Sequence, residues 1–211
     1  MHDVIEKPTT VVIAKPNIIS AVFNIIGTAP YVQHKFSQKS RLKIADQHRA
    51  GSQARGKKVR EARDFSEDCR QATHIAKDGW YGIPAPAFRN AMISACRLVG
   101  FQMTKAKLSV FIVPDGFDVD DGTPLVRLVG GEPEENMAYA RNESGVVDLR
   151  CRPMWETWGA AVTVKWDRGQ FSETDIANLL ARAGVQVGIG EGRPDSPNSN
   201  GMGWGTFDLA N

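Results

Sequence analysis

Apolar residues alternate or cluster in five short runs, and each run predicts a β-strand. The predicted strands cover residues 18–26, 107–113, 159–166, 185–189 and 204–209. The first run is nearly all apolar, which is typical of a central strand buried on both faces. In the third run, Val162, Val164 and Trp166 fall on one face, so this strand is predicted to cover a core on that side.

Two segments have the three-to-four spacing of an amphipathic helix. The first begins at Pro86 and is predicted to end at Gly100, a suitable C-terminal cap. Its apolar stripe consists of Ala87, Phe88, Ala91, Met92, Ala95 and Leu98. The second is capped by Ser172 and is predicted to end at Gly184. Its stripe consists of Ile176, Leu179, Leu180 and Ala183.

The order of these elements predicts an α+β fold. Strands and helices follow as β-α-β-β-α-β, the ferredoxin-like pattern that RRM-like RNA-recognition modules share. We expect one domain over residues 1–211, with a long insertion at about 35–78 and a β-hairpin arm at about 123–152. The limbs of the arm are predicted at residues 125–129 and 145–150. Helices would then cover one face of an antiparallel sheet and leave the other open.

Length and composition are those of an ordinary globular domain. The chain has 211 residues, of which 42% are hydrophobic, and it contains no apolar run long enough to span a membrane. Its first residues lack the basic-then-apolar order of a signal peptide. Cys69, Cys96 and Cys151 are far apart and odd in number, which favours reduced thiols in a cytoplasm.

The formal net charge of +2 conceals a strong asymmetry. Between residues 35 and 63, ten basic residues face only Asp46 and Glu61, whereas the rest of the chain is acidic. The ten are Lys35, Lys39, Arg41, Lys43, Arg49, Arg55, Lys57, Lys58, Arg60 and Arg63. A concentrated basic segment predicts a polyanion site, so we expect these side chains to contact nucleic-acid phosphates.

A glycine-rich loop at residues 188–205 is the second candidate contact. It contains six glycines and Arg193, and such density predicts tight turns or close approach of another backbone. We expect Gly190, Gly192 and Arg193 to contact a phosphodiester chain. Trp80, Tyr81 and Arg89 complete the candidates: the two aromatic residues lie beside glycines and could stack on bases, and Arg89 lies on the first helix.

Three segments resemble the RAMP superfamily, the repeat-associated RNA-binding proteins of CRISPR effector complexes. Residues 82–91 (Gly-Ile-Pro-Ala-Pro-Ala-Phe-Arg-Asn-Ala) resemble the family's helix start, and residues 188–193 with 201–205 resemble its C-terminal glycine-rich loop. Residues 27–35 are similar to the loop after its first strand. Overall the chain looks like phage and prophage proteins that resemble the backbone subunit of these complexes.

The resemblance implies a non-enzymatic protein that binds single-stranded RNA or DNA along a repeating filament, without sequence choice. It also implies a bacterial host cell and partners that are copies of this chain. The hairpin arm and residues 9–14 are available to reach a neighbouring copy. Two alternatives stay open: an endoribonuclease of the same fold that uses His34 or an aspartate as a base, and a phage structural assembly protein without nucleic acid.

We expect no cofactor and no metal ion. Cys69 and His74 supply at most two zinc ligands, with the wrong spacing. The aspartates before Gly122 miss the spacing of a calcium loop, which predicts a surface turn. They are Asp115, Asp118, Asp120 and Asp121.

Overall fold

A computed structural model of the chain describes residues 13–36, 63–141, 147–196 and 202–210, together with positions 42, 45, 46 and 49. The fold is mixed α+β, and the strands pair antiparallel in two sheets. In the described residues no helix is long and apolar enough to cross a membrane.

The strands and helices of the described residues are numbered in the order in which they follow one another along the chain. They are β1 (Ile18–Gly27), β2 (Tyr31–Val32), α1 (Phe65–Gln71), β3 (Gly82–Pro84), α2 (Ala85–Ala95), α3 (Met103–Ser109), β4 (Val110–Val113), β5 (Gly116–Phe117), β6 (Pro124–Val129), β7 (Glu134–Arg141), β8 (Val147–Trp155), β9 (Gly159–Asp167), α4 (Glu173–Arg182) and β10 (Phe207–Leu209). A 3₁₀ turn (Cys96–Val99) follows α2, and a π-helical turn (Ala183–Val187) follows α4.

The main sheet has β9 at its centre. On one side β9 pairs with β1 along nearly its whole length, and β10 pairs with the end of β1. On the other side β4 pairs with residues 163–166 of β9, and β6 pairs with residues 159 and 160. β3 and β5 extend the sheet from β6. The smaller sheet consists of β2, β8 and β7 in that order.

The helices α2 and α4 share one hydrophobic core with the main sheet. Val162, Val164 and Trp166 of β9 are fully buried, which confirms the predicted inward face of this strand. They pack in one cluster with helix residues, among which Phe88, Met92, Ile176 and Leu180 are fully buried. Burial of such side chains contributes about 1.5–3 kcal/mol each, so this cluster holds the helices on the sheet.

The strand β1 is not buried on both faces, and that prediction was wrong. Its side chains alternate between exposed and covered positions, and Val22 is 60% exposed. Ile26 on β1 and Val129 on β6 are exposed as well. An antiparallel sheet needs cover on one face only, so the continuous apolar sequence gives an apolar face open to solvent.

Both predicted helices form, and Gly100 adopts the left-handed conformation of a C-terminal cap. Ser172 and Asp175 form a capping box at the start of α4. However, Gly184 does not end this helix. A Cβ at Gly184 would collide with the carbonyl oxygen of Phe207 on β10, so this glycine permits close packing of helix and strand.

Two predicted strand segments are helical instead. Residues 185–187 continue the helix as a π turn, and Gly188, at a φ of 69°, ends it. Residues 107–109 belong to α3, so the predicted strand at 107–113 is confirmed only for Val110–Val113. Met103 and Ala106 lie one helical turn apart, and Ala106 is fully buried.

The hairpin arm exists with different limbs. Residues 125–129 belong to β6 in the main sheet, whereas the hairpin pairs β7 with β8, for example Tyr139 with Leu149. The outer limb was missed because β7 is mostly polar and exposes Met137 and Tyr139. Cys151 and Trp155 on the inner limb are buried, so β8 is the strand that joins the hairpin to the body.

Candidate nucleic-acid interface

The glycine-rich loop is held by backbone hydrogen bonds at both ends. Glu191 N donates to Val32 O at 2.9 Å, which fixes the loop to the end of β2. Gly205 N donates to Pro30 O at 2.7 Å, and Trp204 N donates to Gly192 O at 3.2 Å. The described part of this loop is therefore a fixed feature against the smaller sheet.

Its glycines are required by contacts within the chain. Gly190 has a φ of 79°, and a Cβ there would lie 2.5 Å from Val32 O and against the Tyr31 ring. A Cβ at Gly205 would collide with Ile189 O. The close approach that the sequence predicted thus involves neighbouring parts of this protein, and a ligand is not needed to explain these glycines.

Arg193 is held by the loop itself. Its Nη1 donates to Gly190 O at 3.0 Å, and the side chain is partly buried. Its charge helps to lower the pKa of the Asp195 carboxyl, after the larger effects of the hydrogen bonds from Ser94 and Arg97. Arg193 is thus a positioned cation on a fixed loop, the type of group that binds a phosphate with little loss of conformational entropy.

A small charged cluster adjoins the loop where the chain leaves β2. Arg152 on β8 donates from Nε to Glu191 Oε2 at 3.1 Å. His34 lies on the other side of the same carboxylate, with its Nδ1 4.0 Å from Glu191 Oε2. Arg150, two residues before Arg152 on β8, is also close enough to act on His34. Three basic side chains and one carboxylate therefore gather at the entrance to the basic insertion.

The pKa of His34 is lowered. Partial burial is the main cause, and the charge of Arg152 adds to it, while Glu191 acts in the opposite direction. Arg150 and His74 lower it further. The side chain is 45% exposed, so a neutral imidazole is available to solvent at neutral pH.

Lys35 does not belong to the exposed basic segment, contrary to our expectation. It is 4% exposed, and its Nζ lies 2.8 Å from Asp118 Oδ1 and 2.6 Å from Asp120 Oδ2. Burial opposes its charge, but the hydrogen bonds that Lys35 donates to the two carboxylates prevail and the pKa of Lys35 is raised. Its charge is neutralised within the fold and is not available to a phosphate.

Asp118 is the centre of this buried cluster. It is fully buried, so the prediction of a surface turn was wrong for this residue. Its Oδ1 also accepts from Asp120 N, and its Oδ2 lies 2.7 Å from His74 Nδ1. Burial would raise the pKa of Asp118, but Lys35, Asp120 N and His74 together hold it below its ordinary value.

The ligand atoms of His74, Asp118 and Asp121 lie within 4.8 Å of one another, as in a metal site. The Lys35 ammonium, however, already neutralises Asp118 at 2.8 Å and would repel a cation bound there. The pKa of His74 is lowered, chiefly by burial. The cluster is therefore a structural ion-pair network that anchors the start of the insertion.

The rest of the basic segment is described only in part. Arg63 ion-pairs with Asp68 at 3.1 Å and lies over the Phe65 ring, and Arg49 is exposed, 3.4 Å from Asp46. The remaining candidates lie outside the described residues: Lys39, Arg41, Lys43, Arg55, Lys57, Lys58 and Arg60. The backbone of Lys35 donates to Ala72 O at 3.0 Å, so the two ends of the insertion meet at the body of the protein.

Trp80 and Tyr81 are half-buried and have partners. The guanidinium of Arg127 lies 5.3 Å from the Trp80 ring centre. Tyr81 donates to Glu132 Oε2 at 2.5 Å, and this hydrogen bond, with some burial, raises the pKa of Tyr81 to about 12. The structure thus places both rings in packing contacts beside β3.

Arg89 joins α2 to the junction of α3 and β4. Its Nε donates to Val110 O at 2.9 Å, a second nitrogen donates to Lys107 O, and its guanidinium lies over the Phe111 ring. Arg89 therefore stabilises the packing of α2 against the junction of α3 and β4.

Our sequence reasoning missed Arg150 and Arg152. Both flank the buried Cys151, so the alternation Arg-Cys-Arg on a strand is the signal that would have placed them on one face. Because β8 was predicted to end near residue 150, this alternation was not recognised.

No protein-family model matches this chain, and a search of curated proteins finds no match either.

Proposed function

We propose that this protein binds single-stranded RNA or DNA through its phosphates, without sequence choice, and associates with copies of itself along the strand. The observation that supports this most directly is the position of the entrance to the basic insertion. The entrance lies against the glycine-rich loop, where Arg152 and His34 flank Glu191, Arg150 is close to His34, and Arg193 is held by Gly190 O. A fixed cationic loop beside a strongly basic segment suits a polyanion without reading its bases.

The charge balance favours the same proposal after Lys35 is removed from the count. Nine basic residues still face two acids between residues 36 and 63. Each phosphate that they neutralise releases counterions, and this release supplies affinity without specific base contacts.

We also infer that the core is ferredoxin-like. The strands β10, β1, β9 and β4 are neighbours in that order and pair antiparallel. Numbered along the chain as the four strands of a β-α-β-β-α-β unit, with α2 and α4 as its helices, they have the order 4-1-3-2, as expected for a split βαβ fold. Together with the three motif-like segments, this order supports a RAMP-like protein of phage, prophage or CRISPR-related origin in a bacterial cytoplasm.

Variants of the two cationic features test the proposal. We expect Arg193→Ala to weaken binding of a fluorescent oligo-U or oligo-dT by several-fold at low salt, because its charge is held in place by the loop. Removal of one cation from the basic segment should cost less, because its nine basic residues are interchangeable, so Lys57→Ala is compared with it. The matched control for the arginine is Arg182→Ala on α4, in the helical layer.

A double variant, Lys57→Ala with Lys58→Ala, tests the basic segment as a whole. Its control is Lys105→Ala with Lys107→Ala, which removes the same charge from the exposed surface of α3. Anisotropy titrations should show weaker binding for the first pair and wild-type affinity for the second. Equal loss in both pairs would mean that only net charge matters, and no loss in any variant would contradict the proposed interface.

The alternative activity, an endoribonuclease, has one observation in its favour. The lowered pKa of His34 leaves a neutral, partly exposed imidazole beside two arginines, as a general base at a phosphodiester would require. Incubation with labelled RNA separates the two proposals. Intact RNA after saturating binding supports a binding protein, whereas cleavage that His34→Ala abolishes supports the enzyme.

A further inference from the structure

Within the described part of the chain, one edge of β1 has a partner strand over only part of its length. β10 pairs only with the last three residues of β1, from Ile25 to Gly27, and Ala210 N then donates to Asn24 O. Among the residues that the structure describes, none pairs with this edge between Ile18 and Val22.

The direction of the backbone groups identifies which residues face the open edge. Asn24 O points to the β10 side, whereas Asn17 O accepts from Arg168 N, and Gly27 N donates to Trp158 O, on the β9 side. Backbone groups alternate in direction along a strand, so the even-numbered residues face the open edge. Ile18, Ser20 and Val22 therefore present their N–H and C=O groups to solvent.

This edge has the properties of a strand acceptor. Ile18 and Val22 are exposed apolar residues, 40% and 60% respectively, and Ser20 between them is exposed as well. Natural proteins protect such an edge with charge, proline or a covering segment. Residues 18–22 contain neither a charged residue nor a proline, and no strand of the described residues pairs with this part of the edge.

A strand donor lies directly before β1 in the sequence. Residues 9–13 read Thr-Thr-Val-Val-Ile, five successive β-branched residues between Pro8 and Pro16, and β-branched side chains favour strands. Where the described chain begins, Ile13 is 89% exposed and residues 13–17 belong to no strand. Residues 9–12 lie outside the described residues, and the donor has the same length as the open edge.

The hydrogen bonds of Asn17 disfavour a hairpin in which residues 9–13 pair with β1 of the same copy. Its carbonyl accepts from Arg168 N at 2.8 Å, and its N–H donates to Asp167 Oδ1 at 3.2 Å, so Asn17 stays in line with β1. Only residues 14–16 remain for a turn, and Pro16 is one of them. The donor of one copy is therefore better placed for another copy.

We propose that residues 9–13 of one copy add as a strand to the open edge of β1, Ile18–Val22, of the next copy. The contact is head-to-tail, so each subunit gives one strand and accepts one, and the assembly is open rather than a closed dimer. This inference rests on the self-association in the proposed function and names the surface that performs it.

Proline variants of the full chain test donor and acceptor separately. Val11→Pro interrupts the donor. Ser20→Pro removes only an N–H that points to the open edge, so β1 keeps its hydrogen bonds to β9. Val4→Pro, outside the donor, and Ser20→Ala, which keeps the N–H, are the controls. Val22→Lys is a second acceptor variant at an exposed position, should Ser20→Pro fail to fold by circular dichroism.

The masses are measured by size-exclusion chromatography with light scattering, on nuclease-treated protein. Wild type and controls should exceed the monomer mass of 23.1 kDa, and each proline variant alone should be monomeric. A mixture of the two variants should give a heterodimer, because one supplies an intact donor and the other an intact acceptor.

Three results would overturn the proposal. A monomeric wild type would show that no strand is exchanged. Association of Val11→Pro but not of Ser20→Pro would show that two β1 edges pair with each other. Failure of the mixture to form a heterodimer would exclude complementary donor and acceptor sites. Because these measurements contain no nucleic acid, their outcome does not depend on the proposed nucleic-acid binding. That binding is tested separately, with short oligonucleotides and the monomeric variants.

Discussion

At the scale of single residues, the buried network of Lys35, Asp118 and His74 shows how local sequence misleads. Lys35 reads as the first cation of a basic segment, yet its carboxylate partners lie 83 and 85 residues further along the chain. No periodicity or spacing signals such a contact. Arg193, in contrast, could be assigned to the loop, because its neighbours are its sequence neighbours.

Replacement of Lys35 by methionine should destabilise the protein by about 3–5 kcal/mol, since it leaves Asp118 charged and buried without its cation. Chemical denaturation measures this change. The control is Lys105→Met at an exposed position of α3, where we expect a change of at most about 0.5 kcal/mol. Equal stability of the two variants would mean that Lys35 does not stabilise the folded protein.

Acid should destabilise the protein first through its histidines. The folded-state pKa of His74 lies below its ordinary value of 6.5, so the unfolded chain binds more protons, and stability falls as the pH drops below about 6.5. The lowered pKa of Asp118 adds a second loss, below about pH 4. Between pH 7 and 5, the denaturation midpoint of His74→Gln should fall less steeply than that of wild type. The decline that is left in this variant is due to His34. An unchanged slope would contradict the burial of a neutral His74.

At the scale of elements, the helices could be predicted because their signals are local. Each helix cap is formed by residues close together in the sequence, namely Ser172 with Asp175 in one helix and the left-handed Gly100 after the other. The errors arose where a partner is distant. Gly184 was predicted to end the helix. Its lack of a side chain instead leaves room for the carbonyl oxygen of Phe207, 23 residues later. The outer limb of the hairpin was missed because a mostly polar strand has no apolar period.

Gly184→Ala separates the two interpretations of this glycine by the sign of its effect. If Gly184 served only local conformation, alanine would stabilise the helical turn by about 1 kcal/mol. Because a Cβ would collide with Phe207 O, we expect destabilisation of about 1–3 kcal/mol instead. Gly131→Ala, with open space around its Cβ, is the control for a general glycine effect. Thermal and chemical denaturation provide the measurement.

At the scale of the whole molecule, the basic segment and the glycine-rich loop were both visible in the sequence, but the position of the segment's entrance beside the loop was not. This position results from β2, a strand of two residues between β1 and the insertion, whose Val32 O accepts a hydrogen bond from Glu191 N. The open face of the main sheet was expected from the element order. The part of the β1 edge that no described strand pairs with was not expected, because it depends on how short β10 is.

Binding of this protein to single strands through their phosphates is tested by the salt dependence of its affinity. Log affinity for oligo-U and oligo-dT, measured by anisotropy between about 50 and 300 mM salt, should fall linearly with log salt, by about 0.7 for each phosphate contacted. We predict a slope that corresponds to several phosphates, with similar values for different base compositions. Affinity that does not change with salt, or no binding at the lowest salt, would contradict binding through phosphates.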